Sequence, residues 1–134
     1  MKRLLFTLLA LMLFTGIDAN AQVYKFRTTD FASRSLENGV WTEWSDWASS
    51  DVLVVINLDR DVIDIYSPDH QEFNVYDYAD ELQEDSDGSS HLELKCVDID
   101  GIRCTLRVRW QADGVVQLYV HYNNLSYVYC LEQR

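Results

Sequence analysis

The segment LELKCVDIDGIRCTLRVRW, Leu92 to Trp110, constrains the fold more than any other part of the chain, because it fixes its own register. A three-residue loop Ile99-Asp100-Gly101, with Gly101 left-handed, sets Asp98 against Ile102 and Cys96 against Cys104. Leu92, Leu94, Cys96, Ile102, Cys104, Leu106, Val108 and Trp110 then share one face. Glu93, Lys95, Thr105, Arg107 and Arg109 share the other, with Glu93 opposite Arg107 as a cross-strand ion pair. A two-residue Asp100-Gly101 turn would set Leu94 against Arg107, and a slip of one residue sends a whole apolar set to the wrong side. The segment therefore predicts an antiparallel hairpin with one buried face and two neighbouring cysteines in it.

The same reading extends along the chain. From Val23 onward apolar residues recur with period two, β-branched and aromatic side chains are common, and Pro68 is the one proline. Predicted strands are Val23–Thr29, Val40–Trp47, Asp51–Leu58, Val62–Ser67, Glu72–Ala79, His91–Asp98, Ile102–Gln111, Val115–Tyr122 and Ser126–Leu131. Turn residues separate them: Asn38-Gly39, Asp59-Arg60, Ser67-Pro68-Asp69, Asp87-Gly88, Asp100-Gly101, Asp113-Gly114 and Asn123-Asn124. Val54, Ile56, Ile63 and Ile65 make one core face, and Val116, Leu118, Val120 and Tyr122 another. Short connections make successive strands antiparallel neighbours. The expected fold is all-β, an up-and-down meander of 8–9 strands curled into a closed or partly open, lipocalin-like barrel. The alternative is a two-sheet sandwich, for which only Asp30–Asn38 and Asp80–Ser90 could supply crossing connections. Asp30–Asn38 has some helical spacing and could form a short helix.

The N-terminus reads as an export signal. Met1-Lys2-Arg3 is charged, Leu4 to Phe14 is apolar but shorter than the roughly 20 residues that span a bilayer, and Ala19-Asn20-Ala21 is a small-x-small cleavage site. Cleavage after Ala21 leaves residues 22–134 as a single exported domain, periplasmic or extracellular, with no membrane insertion of the mature chain. Of the 11 basic and 22 acidic residues, 9 and 21 then remain, a net charge of −12. Nucleic acid is excluded as a partner, since phosphate backbones need a basic patch. A cationic partner is compatible.

Three cysteines in an exported chain permit one disulfide. Cys96 and Cys104 are the candidate pair. A bridge there would close a loop the hairpin already holds and add no more than about 3 kcal/mol. The alternative is two reduced, buried thiols. If Asn123-Asn124 is a turn, Leu125, Tyr127, Tyr129 and Leu131 face the core and Cys130 points away.

Trp41, Trp44 and Trp47 make W-x-x-W-x-x-W within WTEWSDW. The spacing resembles the tryptophan motif of thrombospondin type 1 repeats, but that family's cysteine framework is missing, so no kinship follows. As a period-two strand, Trp41 and Trp47 would enter the core and Trp44 would cover the opposite face. The functional reading is an aromatic platform for a sugar or another flat ligand. Glu84-Asp85-Ser86-Asp87-Gly88 fails as a calcium loop, because Gln83 and Leu94 fall where the first and twelfth ligands belong. An acidic hairpin loop is expected. Arg103, Arg107 and Arg109 with Lys95 form an outward basic stripe, expected to neutralise neighbouring acids. His70, His91 and His121 lie on different elements without zinc spacing, and no nucleophile motif, catalytic residue, metal site or cofactor signature is present.

Through the WTEWSDW strand, the acidic loop and CVDIDGIRC, the chain resembles small exported β-proteins of Gram-negative bacteria, a resemblance that brings no known activity. The leading expectation is a non-enzymatic binding domain holding a small apolar or aromatic ligand in its barrel. Trp41, Trp44, Trp47, Tyr119, Tyr122, Tyr127 and Tyr129 would line that site. The alternative is a protein-interaction module, an envelope component or inhibitor whose acidic surface meets a basic partner.

Overall fold

The hairpin adopts the register its sequence dictates. In the computed structural model, which describes residues 23–133, Cys96 pairs with Cys104, Glu93 with Arg107 and Leu94 with Leu106. Gly101 has φ 83° and donates its N–H to the Asp98 carbonyl at 3.0 Å, closing the three-residue loop. Ile102 departs from expectation: it is 54% exposed rather than in the core. The ladder ends at Val97–Arg103, so Ile102 lies past the sheet. The export signal and its cleavage site lie outside the described residues.

The strands are β1 (Val23–Glu37), β2 (Val40–Trp41), β3 (Ala48–Ser49), β4 (Leu53–Asn57), β5 (Val62–Ile65) and β6 (Gln71–Tyr78), followed by β7 (Gln83–Glu84), β8 (Ser90–Asp98), β9 (Arg103–Trp110), β10 (Val116–His121) and β11 (Leu125–Gln133). The sheet runs β11-β10-β9-β8-β6-β5-β4-β1, and β1 pairs antiparallel with β11, so eight strands close into a barrel. Closure leaves no sheet edge among these eight and disposes of the sandwich alternative. Among the described residues no helix is long and apolar enough to cross a membrane.

Closure depends on Asp30–Asn38, which is neither helix nor crossing connection. It continues β1 to Glu37, and Phe31 to Ser35 pair with Tyr129 to Leu125. A register shift between Thr28 and Asp30 turns the strand so that Phe31 again faces inward. Its ring lies 5.1 Å from that of Tyr129 and 5.9 Å from that of Tyr127. A helix here would leave the edge of β11 without a partner, a cost the sheet pairing removes.

Inward side chains fill the barrel. Tyr24, Phe26, Ile56, Ile63, Phe73, Leu92, Leu94 and Leu106 are each no more than 1% exposed. Burial stabilises each of the large aliphatic and Phe side chains by about 1.5–3 kcal/mol. Large inward side chains thus pack the barrel that this lipocalin-like strand order closes, and its clefts open at a mouth and on the outer wall.

Candidate functional site

The turns at 66–70, 99–102 and 122–125 gather at one end of the barrel, beside the second half of β1. Two adjoining clefts of about 400 and 460 Å³ open there, sharing Asp69, Gln71, Leu125 and Tyr127. Period two on β10 and β11 sends Tyr122, Tyr127 and Tyr129 to this mouth, since they continue the inward series that begins with Val116, Leu118 and Val120. Each phenol packs its ring on the core and needs a partner for its hydroxyl. Gln71 supplies two. Its Nε2 donates to Tyr129 Oη at 3.2 Å and to Ser67 Oγ at 2.9 Å, while its Oε1 accepts from the Tyr127 hydroxyl. Tyr122 donates to Asp98 Oδ2 at 2.8 Å.

Electrostatics divide this mouth into a fixed floor and a free rim. Burial raises the pKa of all three tyrosines, joined at Tyr122 by the bond to Asp98, so they stand as neutral phenols. Burial also opposes ionisation of Asp98, but the N–H groups of Ile102 and Asp100 together with the Tyr122 hydroxyl outweigh it and hold its pKa low. Asp98 is therefore a charged, saturated anchor. Above it, Asp69, Glu72 and Asp100 line the first cleft with no cationic partner among the described residues. Around them stand exposed apolar side chains: Ile99 at 59%, Ile102 at 54% and Leu125 at 39%. Leu125, expected in the core, is displaced to the rim because the Asn123-Asn124 turn holds it at the strand end. His70, which also lines this cleft, is bonded to Asp64 at 2.8 Å, so the rim combines solvated carboxylates with exposed aliphatic surface.

No protein-family model, no curated protein and no solved structure matches this chain.

The remaining candidate residues lie elsewhere. Tyr119 faces outward between Arg107 and Val128. Trp41, Trp44 and Trp47 are 37%, 38% and 52% exposed, so the placement of two rings in the core is wrong. Only Val40–Trp41 and Ala48–Ser49 are strand, and residues 42–47 form a strap along β1. The strap follows a different period. Thr42 and Ser45 donate their N–H groups to the carbonyls of Ser35 and Ser33, and Ala48 stands opposite Phe31. Three strap residues thus advance for every two on β1. The hydroxyls of Thr42 and Ser45 accept the N–H groups of Ser35 and Ser33 in return, at 3.1 and 2.9 Å. At Ala48 no hydroxyl is present and ordinary pairing resumes. A three-residue repeat puts all three indoles on the same side, over the outer wall. Arg34 is held between two of them, its guanidinium 4.9 Å from the ring centres of both Trp41 and Trp44. Trp44 meets the Tyr119 ring edge-on at 5.9 Å.

The other candidate features serve structure. Asp85 and Asp87 in the acidic loop hold Arg109, at 3.5 and 2.6 Å, and Asp85 also holds His91 Nδ1 at 3.0 Å. Arg107 is paired with Glu93 at 2.7 Å. Lys95 reaches Asp77 at 3.8 Å, so Lys95, Arg107 and Arg109 of the stripe neutralise acids, as expected. Cys96 and Cys104 are buried, opposed and unbridged, and burial pushes their pKa values up to about 12 and about 11. Such thiols are inert at neutral pH. Cys130 faces outward beside Gln117, at 3.7 Å.

Proposed function

We propose that this chain is an exported binding domain without catalytic activity, whose barrel mouth receives a ligand that joins a positive charge to an apolar or aromatic body. The observation that carries this reading is the first cleft. Asp69, Glu72 and Asp100 lie there with no ion-pair partner among the described residues, beside the apolar surface of Phe73, Ile99, Ile102 and Leu125. Concave, mostly apolar sites with a few placed polar groups are the usual form of a small-molecule pocket. The acidic net charge favours a cation over long range as well. Neutral, hydrogen-bonded phenols under the cleft suit recognition, since a group held far above its ordinary pKa neither takes nor gives a proton at neutral pH.

Titration with phenethylammonium, with benzyl alcohol as the uncharged control, tests the reading. Backbone amide signals of Asp100, Ile102 and Leu125 should shift saturably with the cation and weakly with the alcohol. Equal binding of both would remove any role for the carboxylates. Unmoved mouth signals with both would remove the site.

A protein can present the same chemistry. Ile99 and Ile102 project beyond the cleft, more exposed than a small ligand requires, and a partner's basic and apolar loop would cover them. A single-residue Ile102→Ser change separates the two cases. It should lower phenethylammonium affinity only severalfold, since Ile102 is one of several apolar side chains lining the cleft, and weaken by far more a protein partner that must cover both Ile99 and Ile102.

A further inference from the structure

The outer wall carries a second surface that the mouth does not use. The geometry points to a binding site for a neutral oligosaccharide, laid across the rack of Trp44 and Trp47 and held at its edges by Asp30, Gln111 and Gln117.

Trp47 is the most exposed of the indoles and stands between two clefts. One, of about 230 Å³, is lined by Ala32, Trp44, Ser45, Tyr119 and Val128 beside it. The other, of about 390 Å³, lies on its far side among Thr29, Asp30, Gln111, Val115 and Gln117. A ligand that fills both must cross the indole, so an elongated ligand with a flat apolar face at each unit fits better than a compact one. A pyranose chain has that form: the C–H face of each ring packs on an aromatic side chain and the hydroxyls project around its rim.

Hydrogen-bonding capacity is left over where those hydroxyls would fall. The Gln111 side-chain amide has no partner among the described residues. Asp30 Oδ2 accepts from Thr29 Oγ1 at 2.9 Å, and Oδ1 has no donor among the described residues. Gln117 Oε1 is used by Arg109 and Tyr119, at 3.3 and 3.2 Å, but its Nε2 reaches only the weak acceptor Cys130 Sγ at 3.7 Å. A carboxylate oxygen and two amides beside exposed indoles can match the alternating donors and acceptors of a sugar. The mouth differs in kind, with aliphatic walls and carboxylates that call for a cation. Asp30 and the acidic net charge disfavour a polyanionic glycan, so the ligand is neutral.

The rack is preorganised, which matters for a weakly binding class of ligand. The reciprocal bonds of Thr42 and Ser45 to β1 fix the strap without help from ligand. Arg34 and the edge-on Tyr119 ring fix the orientation of Trp44.

Titration of the purified protein with maltohexaose, cellohexaose and chitohexaose, followed by the indole Nε1–H and side-chain amide NMR signals, tests the proposal. With at least one of them the signals of Trp44, Trp47, Gln111 and Gln117 should shift saturably, while those of Trp110 and the mouth tyrosines stay in place. Trp47→Ala should lower the affinity roughly tenfold, and Trp47→Phe should recover part of it. Because the Trp47 side chain is half exposed, the fold survives both changes, and an unchanged amide spectrum elsewhere checks this. The proposal is overturned if none of the three sugars moves the indole signals at millimolar concentration, or if binding persists undiminished in Trp47→Ala.

Discussion

The hairpin of β8 and β9 and the tryptophan strap both run beside a neighbouring strand, yet they obey different periods. In the hairpin, residues pair one for one, so side chains alternate and a run such as Leu92, Leu94, Cys96 goes wholly inward. In the strap, three residues pass for each two on β1, because side-chain hydroxyls take the N–H groups that a strand's carbonyls would otherwise take. Six strap residues cover the length of four on β1, a rise of roughly 2.2 Å per residue against the 3.3 Å of a strand. Alternation sends bulk to the core, whereas a three-residue repeat can keep it all outside. The first region makes the fold stable and the second displays rings on its surface.

That contrast is broken most directly by removing bulk from each. Leu94 is fully buried on the hairpin, and Leu94→Ala should cost about 2–5 kcal/mol in urea unfolding. Trp47 loses a larger side chain, but Trp47→Ala should cost under about 1 kcal/mol, since half of its surface already meets water. Comparable losses would mean that the strap belongs to the core after all.

The hairpin's cysteines give the next largest effect, through pH. Their folded pKa values, about 12 and about 11, lie above the ordinary 9.0 because burial opposes the thiolate. A raised pKa means the folded state keeps protons that the unfolded chain has released. Stability is therefore complete below pH 9 and falls as pH rises through the folded values, by about 2 kcal/mol or more over that window. Buried tyrosines titrate in the same direction, so the measured quantity is a difference. The urea midpoint of the native protein should fall more steeply between pH 8 and pH 11 than that of a Cys96→Ala, Cys104→Ala variant. Parallel curves would show the thiols to be solvated.

Why one region was legible and the other was not follows from where the information sits. The hairpin's register is local: a glycine loop, two apolar runs and one cross-strand ion pair agree with one another. The inward series on β10 and β11 is equally local, which is why Tyr122, Tyr127 and Tyr129 could be assigned together. The strap's repeat is also written locally, with hydroxyl residues at 42 and 45 each following a tryptophan, but its meaning depends on the N–H groups of Ser33 and Ser35 across the gap. Gln71 and Asp98 gave no signal at all. Gln71 meets Tyr127 and Tyr129 across 56 and 58 residues of chain, and only barrel closure brings them together. Asp30–Asn38 misled because its polar residues, neutral toward a sheet in isolation, become strand once β11 offers an edge.

If hydroxyls set the strap's period, Thr42→Ala should matter more than its partial exposure suggests. It leaves the half-covered N–H of Ser35 without an acceptor, at a cost of about 1 kcal/mol, and the amide of Ser35 should exchange faster with solvent. Thr42→Ser keeps the oxygen and should restore most of the protection. Thr105→Ala, on the outer face of the hairpin, should stay within about 0.5 kcal/mol, because no ladder bond there relies on a side chain. Accelerated exchange at Ser35 in Thr42→Ser as well would assign the effect to packing of the threonine methyl.

The smallest effect belongs to the contact that looked most decisive in the sequence. Glu93 and Arg107 meet at 2.7 Å, yet their side chains are 45% and 34% exposed, so water screens the pair. Glu93→Gln should cost about 0.2–1 kcal/mol, and less in high salt. The register itself should survive, because the buried faces of β8 and β9 enforce it: a slip would bring Leu94 to the surface at far greater cost than the lost ion pair. Unchanged contacts between the Cα protons of Lys95 and Thr105, a non-hydrogen-bonded pair, in Glu93→Gln would show that the ion pair reports the register without setting it. Loss of those contacts would reverse that order and make the surface pair the determinant of the hairpin.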